Sequence, residues 1–296
     1  MRARRTDEAG GANGRGPGYP ERVASVNQPG VTDRELERED GVRERDRVAI
    51  EEPLEIRLAG DPLAVTMRTP GDDRFLAAGF LFAEGIVGAV EDLGGVAHCG
   101  RPGDDGYGNT IDVHLAPGVA LDPSLLEGTR RGTLTTASCG VCGRRSIDDL
   151  LARVGVLPHD GELVIPRALL ASAPGLLAHH QPRFAHTGGV HAAAAITREG
   201  TVLAHAEDVG RHNAVDKVVG QLLYQGALGA PAILAVSGRV SFEIVQKAAA
   251  ARIPIVAAVS APTSLAIDLA ERAGVTLAAF VRGARMNLYT HRARVR

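Results

Sequence analysis

The segment Ala232–Val236 reads AILAV, and such a run of apolar residues without a charge predicts a buried strand. Two more apolar runs follow it, and stretches with helical periodicity separate the three. The predicted elements are, in chain order, a strand at Ala232–Val236, a helix at Phe242–Ala251, a strand at Pro254–Val259, a helix at Ser264–Ala273 and a strand at Thr276–Phe280. Because crossover helices join parallel neighbours, this order predicts a parallel sheet and an α/β fold.

Small, hydroxyl-bearing and cationic residues follow each of these strands. The three segments are Ser237-Gly238-Arg239, Ser260-Ala261-Pro262-Thr263 and Arg282-Gly283-Ala284-Arg285. Ligands of parallel sheets bind beyond the carboxyl ends of the strands, where helix N-termini and arginines bind phosphate. Each arginine alone is typical of a solvated surface charge, but three at one edge indicate a site for a phosphorylated, planar ligand. The chain has no Walker A or dinucleotide-binding glycine pattern, so we expect a nucleotide to be held in another way.

Two cysteines three positions apart lie upstream, in Ser138-Cys139-Gly140-Val141-Cys142-Gly143. Two arginines follow, and Ser146 is the predicted N-cap of a helix. Cations and a helix N-terminus favour the thiolate, which is the reactive form of cysteine, so the pair is a candidate for sulfur or redox chemistry. A structural zinc site completed by Cys99 and His98 is a second interpretation, and an incidental pair is a third.

Composition excludes several classes of protein. With 45% apolar and 23% charged residues among 296, the chain is typical of a globular protein that buries a core. A formal net charge of −2 gives no general attraction to nucleic acid, and no apolar run approaches the ~20 residues of a membrane span. Three cysteines and a basic N-terminus with no apolar segment after it argue against secretion. We therefore expect a cytoplasmic protein that binds neither nucleic acid nor membrane.

The composition changes along the chain and predicts three regions. Residues 1–42 are rich in Gly, Arg, Glu and Asp and poor in large apolar residues, which predicts a disordered tail. Residues 43–130 contain alternating apolar patterns and predict a smaller β-rich subdomain. Residues 131–296 predict an α/β domain that carries the cysteine loop.

Two further segments carry specific expectations. The helical pattern over Ile165–His180 is predicted to be interrupted at Pro174-Gly175, because proline lacks an N–H. The ionisable run Glu207–His212, sequence EDVGRH, is predicted to be a polar loop with a functional role before a helix at Asn213–Gln225.

Six motifs together resemble those of a known family. They are Arg68-Thr69-Pro70-Gly71-Asp72-Asp73, Cys139-Gly140-Val141-Cys142-Gly143, His186-Thr187-Gly188-Gly189-Val190-His191, Glu207-Asp208-Val209-Gly210-Arg211-His212-Asn213-Ala214, Ser237-Gly238-Arg239-Val240-Ser241-Phe242-Glu243 and Ser260-Ala261-Pro262-Thr263-Ser264-Leu265-Ala266. In this order they resemble the FdhD family, the formate dehydrogenase accessory sulfurtransferases. The resemblance extends from about Val48 to the C-terminus.

The resemblance implies a fold and a reaction. The fold is a cytidine-deaminase-like three-layer α/β domain with a smaller N-terminal β-rich subdomain, and the protein is a homodimer. The reaction takes sulfur from a cysteine desulfurase and passes it to the bis-molybdopterin guanine dinucleotide form of the molybdenum cofactor, which formate dehydrogenase requires. The cofactor is then a bound substrate, and no permanent cofactor is expected.

The resemblance also implies site residues. Cys139 corresponds to the cysteine that carries the persulfide, and Cys142 corresponds to the second thiol. The cofactor-binding segment corresponds to Phe280-Val281-Arg282-Gly283-Ala284-Arg285. No resident metal site is expected.

Two other functions stay open at the level of sequence. A chaperone that binds the molybdenum cofactor without using its cysteines would share the same ligand site. A zinc hydrolase is suggested by His205-Ala206-Glu207, which spells the H-x-E of zinc deaminases, together with Cys139 and Cys142. The order of the two motifs is reversed relative to those enzymes, which argues against the hydrolase.

Overall fold

A computed structural model describes residues 29–104, 107–121, 125, 147–158 and 163–296. Within these residues the elements are, in chain order, β1 Val31–Glu37, β2 Arg43–Ala49, β3 Glu52–Leu58, β4 Asp61–Arg68, α1 Asp73–Glu84, β5 Leu93–His98, β6 Thr110–Leu115, α2 Ile147–Val154, α3 Arg167–Ala178, α4 Pro182–Thr187, β7 His191–Ile196, β8 Val202–Asp208, α5 Arg211–Tyr224, β9 Ile233–Val236, α6 Phe242–Ala250, β10 Ile255–Ala258, α7 Ser264–Ala273, β11 Thr276–Arg282 and β12 Arg285–Leu288. Short 3₁₀ turns lie at Val90–Asp92 and Arg292–Arg294.

The largest sheet has six strands in the order β12-β11-β10-β9-β7-β8. Strands β9, β10 and β11 are parallel neighbours, as the β-α-β-α-β pattern predicts. The flanking strands β7, β8 and β12 pair antiparallel. The parallel centre therefore has one edge at which the carboxyl ends of three strands meet.

Both faces of this sheet are covered, which gives three layers. Along β7, Ala193 and Ala195 pack in the cluster formed with α5, α6 and α7, whereas Ala192 and Ala194 pack in the cluster formed with α3. The alternation follows from the two-residue period of a strand, and its small side chains allow helices to approach closely. The expected three-layer α/β class is confirmed.

The smaller N-terminal sheet has four strands in the order β4-β3-β6-β5, and it packs against α1. Helix α1 in turn crosses α5 at two glycines. A Cβ on Gly79 would lie 1.9 Å from the carbonyl oxygen of Asp216, and a Cβ on Gly220 would lie 2.0 Å from that of Phe75. Only glycine permits this approach of two helix backbones, which joins the two parts of the protein.

The expected tail is corrected between residues 31 and 42. There β1 pairs antiparallel with β2, from Val31 opposite Ala49 to Glu37 opposite Arg43. Most side chains on these strands are charged, so no apolar alternation marks the strands in the sequence. The backbone hydrogen bonds between the two strands form nevertheless. Arg183 of α4 also donates from Nε to the carbonyl of Pro29, just before β1, and this bond holds the beginning of the strand in place. The rest of the predicted tail, residues 1–28, and the predicted boundary at residue 130 lie outside the described residues.

Two local expectations are also wrong. Helix α3 runs through Pro174 without interruption, because Leu170, Ala173 and Leu177 are buried against the sheet and their packing outweighs one lost hydrogen bond. Strand β8 continues through Asp208, so Glu207 and Asp208 belong to a strand rather than to a polar loop.

Candidate functional site

The three segments that follow the parallel strands lie side by side, as predicted. Val240 donates from its backbone N–H to Ala261 at 3.0 Å and accepts from Thr263 at 2.9 Å, which joins the segments after β9 and β10. Phe280, near the end of β11, donates from its N–H to the carbonyl of Ser260 at 3.2 Å, which joins β11 to the segment after β10. The carboxyl edge of the sheet is therefore one continuous surface.

The predicted cofactor segment, residues 280–285, spans the end of β11, the turn at Gly283-Ala284 and the first residue of β12. Phe280 has φ 53° and is 40% exposed, and the strand pairing is irregular between Ala279 and Arg282, around this residue. A bulky residue in the left-handed region is uncommon and strained, so the local fold holds this ring at the surface against a backbone preference. Arg282 and Arg285 are exposed beside it, with Gly283 and Ala284 at the tip of the turn.

Val281 differs from its neighbours in this segment. Its side chain is fully buried in the cluster under α3. Only its backbone can contact a ligand at the edge, so its predicted binding role is limited to main-chain atoms.

The two predicted catalytic residues, Cys139 and Cys142, lie outside the described residues. The helix predicted to begin at Ser146 is present from Ile147, as α2. Arg153 of this helix donates to the carbonyls of Ala83 and Glu84, at the end of α1. The chain that leaves the cysteine loop is thus anchored at the junction between the two parts of the protein.

A buried ion pair fixes the start of α5, which borders the edge. Lys217 Nζ lies 2.8 Å from Asp208 Oδ2, and the two side chains are 1% and 0% exposed. Asp208 also accepts from the backbone N–H of Thr69 and Gly210, and Lys217 donates to the carbonyl of Thr69. Asn213 donates to Asp208 Oδ1 at 3.0 Å. This network joins the loop before α1 to the end of β8.

A second buried pair lies deeper, between α5 and α6. Lys247 Nζ is 2.6 Å from Asp216 Oδ1. Burial raises the pKa of Asp216 from 3.8 to about 6, against the opposing charge and hydrogen bond of Lys247. Sequence reasoning missed both lysines, although each interrupts the apolar face of a helix and such an interruption is the pattern of a buried, paired charge.

The edge nearest α5 and α6 is polar. His212 Nε2 is 2.8 Å from Ser241 Oγ, and His212 Nδ1 is 2.9 Å from Glu243 Oε2. Arg211 lies beside them, and its buried Nε has no hydrogen-bond partner in the described part of the chain. A Cβ on Gly238 would lie 3.1 Å from a ring nitrogen of His191 and 3.4 Å from the Cβ of Arg211, so only glycine fits comfortably between them.

The residues of the zinc-deaminase pattern have other roles. Glu207 accepts hydrogen bonds from the N–H groups of Arg183 and Phe184, at 2.8 and 2.7 Å, and so caps the start of α4. Burial raises the pKa of Glu207, and these two bonds oppose the shift. His205 is exposed and its ring lies 4.3 Å from that of His180. The contacts of Glu207 therefore give it a structural role, as the cap of α4.

Two of the four residues of the alternative zinc site, His98 and Cys99, lie within the described residues. His98 Nε2 lies 3.4 Å from Asp73 Oδ2, and Cys99 is a free, half-buried cysteine at the end of β5. Among the residues that the structure describes, no three histidine, cysteine or acidic side chains are grouped as metal ligands are. Within the same residues, no helix has both the length and the apolar character needed to cross a membrane.

Comparison with known proteins places these features in context. Residues 49–296 match the FdhD/NarQ family. The chain is 61% identical over 255 residues to the sulfur carrier protein FdhD of Anaeromyxobacter sp. (strain K), covering 83% of this chain and 88% of that protein. It is 50% identical over 254 residues to the sulfur carrier protein FdhD of Streptomyces avermitilis, covering 84% and 89%. A crystal structure described as a formate dehydrogenase accessory protein, from Desulfotalea psychrophila, is similar with a TM-score of 0.68 and 27% identity, covering 90% of this chain and 98% of that one.

Proposed function

The chain belongs to the FdhD/NarQ family, and from this membership we propose that it is a sulfur carrier that activates formate dehydrogenase. In this proposal it accepts sulfur from a cysteine desulfurase as a persulfide. It then transfers that sulfur to the bis-molybdopterin guanine dinucleotide form of the molybdenum cofactor. The cofactor is a bound substrate, and the chain needs no permanent cofactor of its own.

The observation that carries the proposal is the cysteine pair itself. Cys139 and Cys142 stand beside glycines in the sequence of a chain that is 61% identical to a protein named as a sulfur carrier. Arginines and the start of α2 follow the pair, and both favour the thiolate form that sulfur exchange requires.

The uptake step is a sulfur-to-sulfur displacement. The thiolate of Cys139 attacks the outer sulfur of the desulfurase persulfide, a new S–S bond forms, and the desulfurase cysteine leaves as its thiolate. The product is a persulfide on Cys139. Atoms and charge are conserved, because one thiolate is consumed and one thiolate is released.

In the release step Cys142 assists. Its thiolate attacks the inner sulfur of the persulfide, the Cys139–Cys142 disulfide forms, and hydrosulfide leaves toward molybdenum. A cellular dithiol then reduces the disulfide in exchange for its own oxidation. We place this cycle in the cytoplasm, where the reducing poise keeps thiols free.

The carboxyl edge of the sheet supports the proposed cofactor binding. The exposed ring of Phe280 offers a face on which a guanine base can stack. Arg282 and Arg285 stand beside it as bidentate partners for phosphate. Gly283, between them, has no side chain that would obstruct a ligand. Val281 contributes through its backbone alone. We propose that the protein acts as a homodimer, so a second chain would border the same cofactor.

The test is intact mass after incubation with an active cysteine desulfurase and cysteine. We expect the unmodified chain to gain one sulfur atom that reductant removes, and Cys139→Ala to gain none. Cys142→Ala should gain the sulfur but release it slowly. The matched control is Cys99→Ala, since Cys99 is the remaining cysteine of the three and is expected to be silent. If the unmodified chain gains no sulfur, the proposal is wrong; cofactor binding without sulfur uptake would indicate the chaperone instead.

A further inference from the structure

Ser241, His212 and Glu243 form a hydrogen-bonded series that the proposed sulfur transfer does not use. The distances are 2.8 Å from Ser241 Oγ to His212 Nε2 and 2.9 Å from His212 Nδ1 to Glu243 Oε2. The carboxylate can only accept, so Nδ1 carries the imidazole proton and Nε2 is left to accept from the serine hydroxyl. The tautomer is assigned by this network. A nucleophile, a base and a group that orients the base are thereby in series.

The histidine is held in the form that can act as a base. The side chains of His212 and Glu243 are 14% and 15% exposed. Burial lowers the pKa of His212; the hydrogen bond and charge of Glu243 oppose this, and the charges of Arg211 and Lys247 add to the lowering. The net shift is downward, which favours the neutral imidazole.

Ser241 stands where nucleophiles of α/β proteins are commonly presented, between a parallel strand and the helix after it. It is the N-cap residue of α6, but its hydroxyl makes no capping bond because it is engaged with His212. The first N–H groups of this nine-residue helix therefore need another acceptor. The side chain is half-buried and accessible at the edge.

A second observation points to a ligand with a negatively charged oxygen. The Nε of Arg211 is buried and has no hydrogen-bond partner among the described residues. Burial and the charge of the nearby Arg239 both lower the pKa of Arg211, whereas the charge of Glu243 raises it, so two guanidinium groups lie close together at this edge. An anion placed there would satisfy the orphan N–H and reduce the repulsion.

We propose that Ser241 is a nucleophile toward an ester that carries an anionic oxygen, with His212 as its general base. Glu243 is a positioning residue, and Arg211 with the start of α6 binds the anionic oxygen. The serine O–H bond breaks, its proton moves to His212 Nε2, and the serine oxygen bonds to the ester centre. The leaving alkoxide takes that proton. Water then cleaves the serine ester by the same path, and the serine is restored.

A purely structural role predicts different chemistry. If the series only holds α5 against α6, the hydroxyl of Ser241 has the reactivity of an ordinary serine. Removing His212 would then change the free energy of unfolding but not the reactivity of Ser241. The two possibilities differ in whether the hydroxyl reacts.

The experiment treats the full-length protein with diisopropyl fluorophosphate and follows the mass of the peptide that contains Ser241. The serine oxygen displaces fluoride, so each reacted chain gains one phosphoryl group. We expect labelling at Ser241, none at this position in Ser241→Ala, and labelling at least about 100-fold slower in His212→Gln, the loss typical of a missing general base. Ser237→Ala is the matched control, because Ser237 Oγ accepts from the backbone N–H of Ala192 rather than being bonded to a histidine, and this variant should label normally at Ser241.

The pH profile distinguishes base catalysis from folding. The labelling rate should rise with a midpoint below the ordinary 6.5 of histidine. Glu243→Gln should move this midpoint lower still, because it removes the group that raises the pKa of His212. Labelling that is unchanged in a folded His212→Gln, or absent in the folded unmodified chain, overturns the proposal.

Inorganic phosphate tests the substrate class. It should protect Ser241 from labelling in the unmodified chain and protect it much less in Arg211→Gln. Absence of protection in the unmodified chain would overturn the anionic site. None of these readouts uses sulfur transfer, so they are independent of the proposed carrier function.

Discussion

Replacement of Lys217 by methionine tests the network that positions α5 at the candidate site. The ammonium is 2.8 Å from Asp208 Oδ2, and both side chains are almost completely buried. Methionine fills a similar volume but leaves the carboxylate without its countercharge. Removing one partner of a buried pair costs about 3–5 kcal/mol. Thr69, Gly210 and Asn213 still donate to Asp208, so we expect a value near the lower end, about 3 kcal/mol.

The measurements are urea unfolding, which gives the free energy of unfolding, and thermal unfolding, which gives Tm, both followed by circular dichroism. For a chain of this size a loss of about 3 kcal/mol lowers Tm by roughly 6–12 °C. Because Lys217→Met/Asp208→Asn removes both charges, the double variant should cost less than the sum of the single variants. Arg43→Met is the control, since its ion pair with Glu37 is largely exposed, and no measurable change is expected. A Lys217→Met variant within about 1 kcal/mol of the unmodified chain would refute the argument.

Three further predictions concern packing, strain and pH. Gly79→Ala places a Cβ 1.9 Å from the carbonyl of Asp216 and should cost about 1–3 kcal/mol or more in urea unfolding, whereas Gly175→Ala meets nothing within 4 Å and should not destabilise. Phe280 has φ 53°, so Phe280→Gly should be more stable than Phe280→Ala by about 1 kcal/mol, while both lose affinity for guanosine diphosphate in calorimetry. Asp216 has a pKa of about 6 when folded, above its ordinary 3.8, so its ionisation lowers stability as pH rises from about 4 to about 6. Asp216→Asn should flatten that part of the stability profile; an unchanged slope contradicts the assignment.

The central sheet was predictable because its signals are local. Strand β9 differs from the predicted Ala232–Val236 by only one residue. The agreement is close because a short run of uncharged apolar residues favours a buried strand. Helix α7 matches the predicted Ser264–Ala273, because Thr263 caps its start and Gly274, at φ 72°, ends it. Where apolar pattern and capping agree, local sequence is sufficient.

The errors arise where distant contacts decide the structure. Strand β1 carries charged side chains and is held by its ladder to β2 and by Arg183, which is far away in sequence. Glu207 and Asp208 appear polar and loop-like, but their partners are the start of α4 and Lys217. Pro174 is tolerated because the leucines around it are buried. None of these partners can be identified from spacing along the chain.

The candidate site was predicted unevenly for the same reason. The convergence of the segments after β9 and β10 follows from parallel topology and is confirmed by the bonds of Val240, and Phe280 of β11 joins the same edge through Ser260. The burial of Val281, and the series of Ser241 with His212, depend on the three-dimensional packing. The roles of Cys139 and Cys142 stay predictions from sequence.

Transfer of labelled sulfur tests the carrier function most directly. The protein is loaded with ³⁵S by a desulfurase, separated from it, and mixed with formate dehydrogenase whose molybdenum cofactor lacks the sulfur ligand. We expect the label to leave Cys139 and to appear on the cofactor as formate oxidation begins, with neither event in Cys139→Ala. Activation by Cys139→Ala, or by a chain that retains its label, would contradict the account.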